Sequence, residues 1–101
     1  MQVTSSTQNR ELFLWISGEV DHHAAAKIMG EVERLVEERL PRSFILDMSG
    51  VTFMDSSGIA VVLRCHQRMV ALGGALVVRN IPAQALKVLR AAGLERMITF
   101  E

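Results

Sequence analysis

Asp55-Ser56-Ser57-Gly58 concentrates more usable chemistry than any other four residues of this 101-residue chain. The run follows an apolar, strand-like stretch and precedes an apolar, helix-like one, which places a carboxylate and two hydroxyls at a helix N-terminus. The first backbone N–H groups of a helix have no intrahelical partners, and its dipole favours negative charge at that end. Three uses of such a corner are open: capping the helix, binding an anion, or carrying a phosphate on one of its own serines. Capping needs only one hydroxyl or carboxylate. Two serines in tandem permit a division of labour, one capping and one exposed, although the pattern does not itself assign them.

A serine nucleophile would need a base beside it. The chain has three histidines, His22, His23 and His66. His66 falls more than two turns beyond Ser57 on the same predicted helix, out of reach. His22 and His23 could approach only through tertiary contact, and the Gly-x-Ser-x-Gly elbow is absent. A small serine hydrolase is therefore disfavoured. Neither His22-His23 nor Cys65-His66 has partners at a zinc-like spacing. No Walker-type loop or dinucleotide fingerprint occurs, and Gly73-Gly74 reads as a helix stop. The sequence thus predicts no metal, no cofactor and no enzyme activity.

The elements that must position the corner follow from periodicity. Residues 3–7 form a weak strand, Asn9-Arg10 a turn, and residues 12–16 a firm strand that Gly18 breaks. Asp21 is placed to cap a helix over 24–39, whose apolar stripe is Ile28, Val32, Leu35 and Val36 and which Pro41 stops. Its Glu-rich remainder reads as a solvated face. Residues 44–48 form a strand interrupted at Ser49-Gly50, and 51–54 lead into the corner. A helix from Ser57 to about Leu72 is apolar all round in its first turns, which suggests core contact on more than one side. Residues 75–78 form a further strand. Pro82 opens a third helix burying Ala85, Leu86 and Leu89, Gly93 ends it, and 97–100 form the last strand. Trp15, Met48, Met54 and Met69 are assigned to the core, with methionine also able to supply an adaptable contact surface.

The order predicts an α/β fold: a mixed sheet of about five strands, an antiparallel first pair followed by parallel neighbours, with three packed helices. The length suggests one domain spanning 1–101. Half the residues are hydrophobic, enough for a core. Eleven basic and eleven acidic residues balance, which argues against a nucleic-acid binder. One cysteine excludes an internal disulfide and fits a reducing cytosol. The polar first ten residues are no signal peptide, and no apolar run is long enough to span a bilayer. A soluble, cytoplasmic protein is expected.

The segment Phe53-Met54-Asp55-Ser56-Ser57-Gly58-Ile59 resembles the phosphorylation-site motif of the STAS-domain anti-sigma-factor antagonists. Gly18-Glu19-Val20-Asp21-His22-His23 resembles the first-loop motif of their sporulation sigma-F branch. Leu72-Gly73-Gly74 with Val77-Val78, and Ala92-Gly93-Leu94 with 98–101, resemble later landmarks in the same order and spacing. The resemblance implies partner switching. The unphosphorylated form binds an anti-sigma factor that is itself a serine kinase, which releases a sigma factor. The kinase then phosphorylates the first serine, here Ser56, using ATP that the kinase holds. The phosphoprotein lets go, and a phosphatase resets it. On this resemblance Ser56 is the acceptor and Ser57 the capping hydroxyl. Asp21, His23, Asp55, Ser57 and Gly58 form the partner-binding surface. Many family members continue past the position of Phe100-Glu101 into a further helix, so less covered sheet surface is expected here, favouring self-association or a larger partner footprint. The alternative within the same fold is an accessory or scaffold subunit of a lipid-transport or signalling complex, with no phosphoswitch.

Overall fold

A computed structural model describes all of residues 1–101. The chain runs β1 (Gln2–Gln8), β2 (Glu11–Val20), α1 (His22–Arg39), β3 (Ser43–Met54), α2 (Ser57–Ala71), β4 (Ala75–Arg79), α3 (Ala83–Ala91), a 3-10 turn (Leu94–Arg96) and β5 (Thr99–Phe100). The five strands form one sheet in the order β1-β2-β3-β4-β5. The β1–β2 pair is antiparallel and the remaining pairs are parallel, as the alternation of elements predicts. Asn9 and Arg10 both take positive φ, the geometry a two-residue hairpin demands. The Arg10 guanidinium donates to the Leu40 carbonyl at 2.8 Å, which ties the hairpin to the end of α1.

Side chains alternate across a strand, and one face of this sheet takes the fully buried apolar positions. Leu12, Leu14 and Ile16 of β2, Phe44, Leu46 and Met48 of β3, and Leu76 and Val78 of β4 are all buried. Against them pack Ile28, Val32, Leu35 and Val36 of α1, Val61, Val62, Cys65 and Met69 of α2, and Ala85 and Leu89 of α3, in a single core. Leu86, expected in the α3 stripe, is only half-buried. Full burial raises the Cys65 thiol pKa to about 12, with the Glu33 charge adding to the effect, so it stays protonated as a core side chain. Met48, Met54 and Met69 are core residues too.

The structure corrects several expectations. Trp15 is not in the core: it is 39% exposed on the opposite sheet face, stacked on Phe13 with ring centroids 5.7 Å apart. Period-2 alternation requires this, because its neighbours Leu14 and Ile16 point inward. Gly18 does not end β2, nor do Ser49-Gly50 interrupt β3. Both glycines sit at irregularities in the β2–β3 register, Gly18 with φ +89° and Gly50 beside Ser17, and pairing resumes beyond them to Val20 and Met54. The last strand is Thr99–Phe100 alone, because Leu94–Arg96 turn and leave Met97 exposed. No helix is long and apolar enough to cross a membrane.

Candidate functional site

Parallel strands β2 and β3 end side by side, with Val20 in register with Met54. The Asp55 N–H donates to the Val20 carbonyl at 3.2 Å, which locks the two exits together. The loop carrying Asp21 and the loop carrying Asp55 and Ser56 therefore emerge as neighbours, each opening a helix. Exits at the C-terminal ends of parallel strands are where α/β sheets build their sites.

Asp21 caps α1 as its position predicts. Its backbone is extended, and Oδ1 accepts from the Ala24 N–H at 2.8 Å. That bond is the main reason its carboxyl pKa lies below the ordinary aspartate value, with the His23 charge adding to the effect. A carboxylate whose pKa is lowered on folding stabilises the protein above its unfolded pKa. That contribution is lost as pH falls through the folded value. Wild type should therefore be more stable than Asp21→Asn at neutral pH, and the gap should close in acid. Urea melts of both proteins across that range check this, and a gap independent of pH would contradict it.

At the second exit the structure reassigns the cap. Ser57 is the first residue of α2, and Ser56 already has helical dihedrals (φ −63°, ψ −16°) and makes no capping bond. The capping acceptor is Asp55, whose Oδ1 accepts from the Ser57 N–H at 2.8 Å. The Gly58 N–H donates to the Asp55 carbonyl at 3.1 Å. The sequence assigned this role to Ser57. Ser57 instead donates its own N–H as the first helical residue, and Ser56 before it is already helical, which leaves the capping role to Asp55. Asp55→Ala should therefore lower unfolding free energy by about 1 kcal/mol, and Ser57→Ala by less than about 0.5 kcal/mol. Equal losses in denaturant melts would restore the cap to Ser57.

The remaining site residues divide. Ser56 is exposed and Ser57 half-buried. A cavity of about 260 Å³ brings Ser57 together with His22, Ala25, Ala26, Met29 and Ala60. Asp21 and His23 line a separate depression of about 240 Å³ with Glu19 and Lys27. His22, rather than His23, thus shares a cavity with Ser57. No histidine is hydrogen-bonded to either serine. Gly58 is buried rather than presented, and a Cβ there would meet Met54 Cγ and Sδ at 2.5 Å. No three His, Cys, Asp or Glu side chains cluster to hold a metal ion.

Sequence reasoning gave no role to two residues at this corner. Phe53 is 45% exposed beside the exit, as alternation from buried Met54 requires. Gln84 of α3 hydrogen-bonds the Met54 backbone through its side chain. A glutamine on the polar side of a short helix carries no signal of such a contact.

A family model described as STAS domain matches residues 2–101. The chain is 24% identical over 98 residues to the anti-sigma F factor antagonist of Paenibacillus polymyxa, spanning 97% of this chain and 84% of that protein. The fold is that of the anti-sigma factor antagonist SpoIIAA in its unphosphorylated form. The two align at a TM-score of 0.86 and 24% identity, over 99% of this chain and 88% of the other. The phosphorylated form of the Bacillus cell fate determinant SpoIIAA aligns at a TM-score of 0.78 and 23% identity, over 99% and 91%. With the family model spanning the sheet, all three helices and both strand exits, the chain belongs to the STAS domain family.

Proposed function

We propose that this chain is an anti-sigma-factor antagonist switched by phosphorylation at Ser56. The unphosphorylated protein binds an anti-sigma-factor serine kinase through the surface formed by the two strand exits, and a sigma factor is released. The observation that carries this reading is the freedom of Ser56. Asp55 caps α2, so the exposed Ser56 hydroxyl has no structural bond to give up when it becomes a nucleophile. The relative named for the same role and the phosphorylated and unphosphorylated SpoIIAA structures on the same fold support it.

In the transfer, Ser56 Oγ attacks the γ-phosphorus of ATP held by the kinase. The bond to the ADP oxygen breaks, and the hydroxyl proton passes to a base of the kinase. This chain supplies an oriented acceptor, while the nucleotide and its metal belong to the partner. The product carries about −1.5 to −2 charge at neutral pH. It sits at the N-terminus of α2, where the helix dipole favours negative charge, so the free phosphoprotein keeps its fold. In the complex, that charge is forced against Asp55 and the partner surface, and the two proteins separate. A phosphatase resets the cycle in the cytoplasm.

The test is direct. The protein is mixed with ATP and candidate anti-sigma-factor kinases, and its intact mass and any phosphopeptide are mapped. A single phosphate on Ser56, lost in Ser56→Ala, is expected. A folded protein that no cognate kinase modifies would instead be a scaffold on the same fold.

A further inference from the structure

We infer that Gln84 is the positioning residue of the Ser56 corner, because its side-chain amide replaces a missing strand at Met54. The inference rests on Ser56 being the acceptor. β4 ends at Arg79, opposite Asp47, and β3 continues without a strand on that side through residues 48–54. At the end of β3, Asp55 bonds to Val20 on the β2 side. The N–H and C=O of Met54 face the other way, where β4 no longer runs. Met54 is 1% exposed, so water does not satisfy its backbone.

Gln84 supplies both missing bonds. Its Oε1 accepts from the Met54 N–H at 2.8 Å, and its Nε2 donates to the Met54 carbonyl at 2.7 Å. A carboxamide is the side-chain group that offers a donor and an acceptor side by side, as a neighbouring peptide unit would. Gln84 can hold this pose because its own backbone is fixed. Extended Pro82 precedes α3, the Leu86 N–H donates to the Pro82 carbonyl at 2.9 Å, and Ala85 and Leu89 anchor the helix in the core. Met54 is two residues from Ser56. With Val20 clamping Asp55 on one side and Gln84 clamping Met54 on the other, the backbone entering the corner is held from both edges. Gln84 contributes position alone, through the backbone that carries Ser56.

This makes a distinction that kinetics can read. A residue that touches the kinase changes KM when altered. A residue that aims the hydroxyl changes kcat, because small displacements of a nucleophile are costly in rate. Two near-isosteric variants of the full chain separate the terms. Gln84→Glu retains an acceptor for the Met54 N–H but sets an oxygen against the Met54 carbonyl, and Gln84→Met removes both bonds. In both, amide hydrogen exchange at Met54 and Ser57 should quicken at least about tenfold, while β1, β2 and α1 keep their protection. Phosphorylation of Ser56 should lose at least about tenfold in kcat, with KM within about threefold of wild type. Unchanged exchange at Met54 with unchanged kcat would overturn the inference. So would protection lost uniformly across the sheet, which would make Gln84 a general stabiliser. If wild type is not phosphorylated, the Ser56 reading fails. The exchange result then still decides whether Gln84 holds the corner.

Discussion

Ser56→Asp is expected to weaken binding to the cognate anti-sigma-factor kinase by about 100-fold while leaving the melting temperature of the free protein nearly unchanged. The binding loss follows from charge. Ser56 is exposed at the mouth formed by two strand exits that already carry Asp21 and Asp55. A further carboxylate brought into a desolvated contact there meets like charge at a cost of several kcal/mol, and about 3 kcal/mol corresponds to roughly 100-fold in Kd. The preserved stability follows from the same position in the free protein. An acidic side chain in the first turn of a helix is favoured by about 0.3–1 kcal/mol, which offsets its proximity to Asp55. Calorimetric titration and thermal melts of the same samples check both halves. Ser56→Ala should bind nearly as well as wild type, because the hydroxyl makes no capping bond to lose. A Ser56→Asp protein that binds at wild-type strength would remove repulsion as the switching device. One that binds weakly because it has unfolded would show it in the melt. Phosphoserine carries more charge and bulk than aspartate, so the modified protein should bind more weakly still.

The sequence made the sheet legible where local rules decide. The turn at Asn9-Arg10, the helix stops at Gly73 and Gly93, and the Asp21 cap all depend on near neighbours, and each appears where it was expected. It misled where a neighbouring strand decides. Gly18 and Ser49-Gly50 read as breaks because glycine weakens an isolated strand. Pairing across the β2–β3 ladder absorbs them as register shifts. Trp15 reads as core because the strand around it is apolar throughout, although its place between two inward-pointing residues turns it to the other face. At the Asp55–Gly58 corner, the sequence puts the cap on Ser57, whereas the structure puts it on Asp55, two residues earlier. An aspartate two residues before the first helical N–H competes for that bond, and the dihedrals of Ser56 decide in its favour. Gln84 was illegible because its partner is backbone, 30 residues away in sequence, and only the early end of β4 leaves that backbone free to be bound.

Met54→Ala should be the most destabilising substitution at the corner, by about 2–5 kcal/mol, and its effect should depend on what stands at residue 58. Met54 is 1% exposed, the last core side chain of β3, and lies under the first turn of α2. Removing it leaves a cavity at the junction of strand and helix. For a domain of this size each kcal/mol lowers the melting temperature by about 4–8 °C. Gly58→Ala stresses the same contact from the other side. The added methyl would lie 2.5 Å from Met54 Cγ and Sδ and 2.8 Å from Cε, so the buried methionine must move. Overpacking of this kind costs about 1–3 kcal/mol, of which helix propensity returns about 1 kcal/mol. Together the two substitutions should be less harmful than their sum. The methyl at residue 58 then projects into the space that Met54 vacates, giving a coupling of about 0.5–3 kcal/mol. Denaturant melts of the two single variants and the double variant measure it. Strict additivity would mean that Gly58 and Met54 do not share the contact. A positive coupling would show that glycine follows the tandem serines because the helix must start directly on the methionine beneath it.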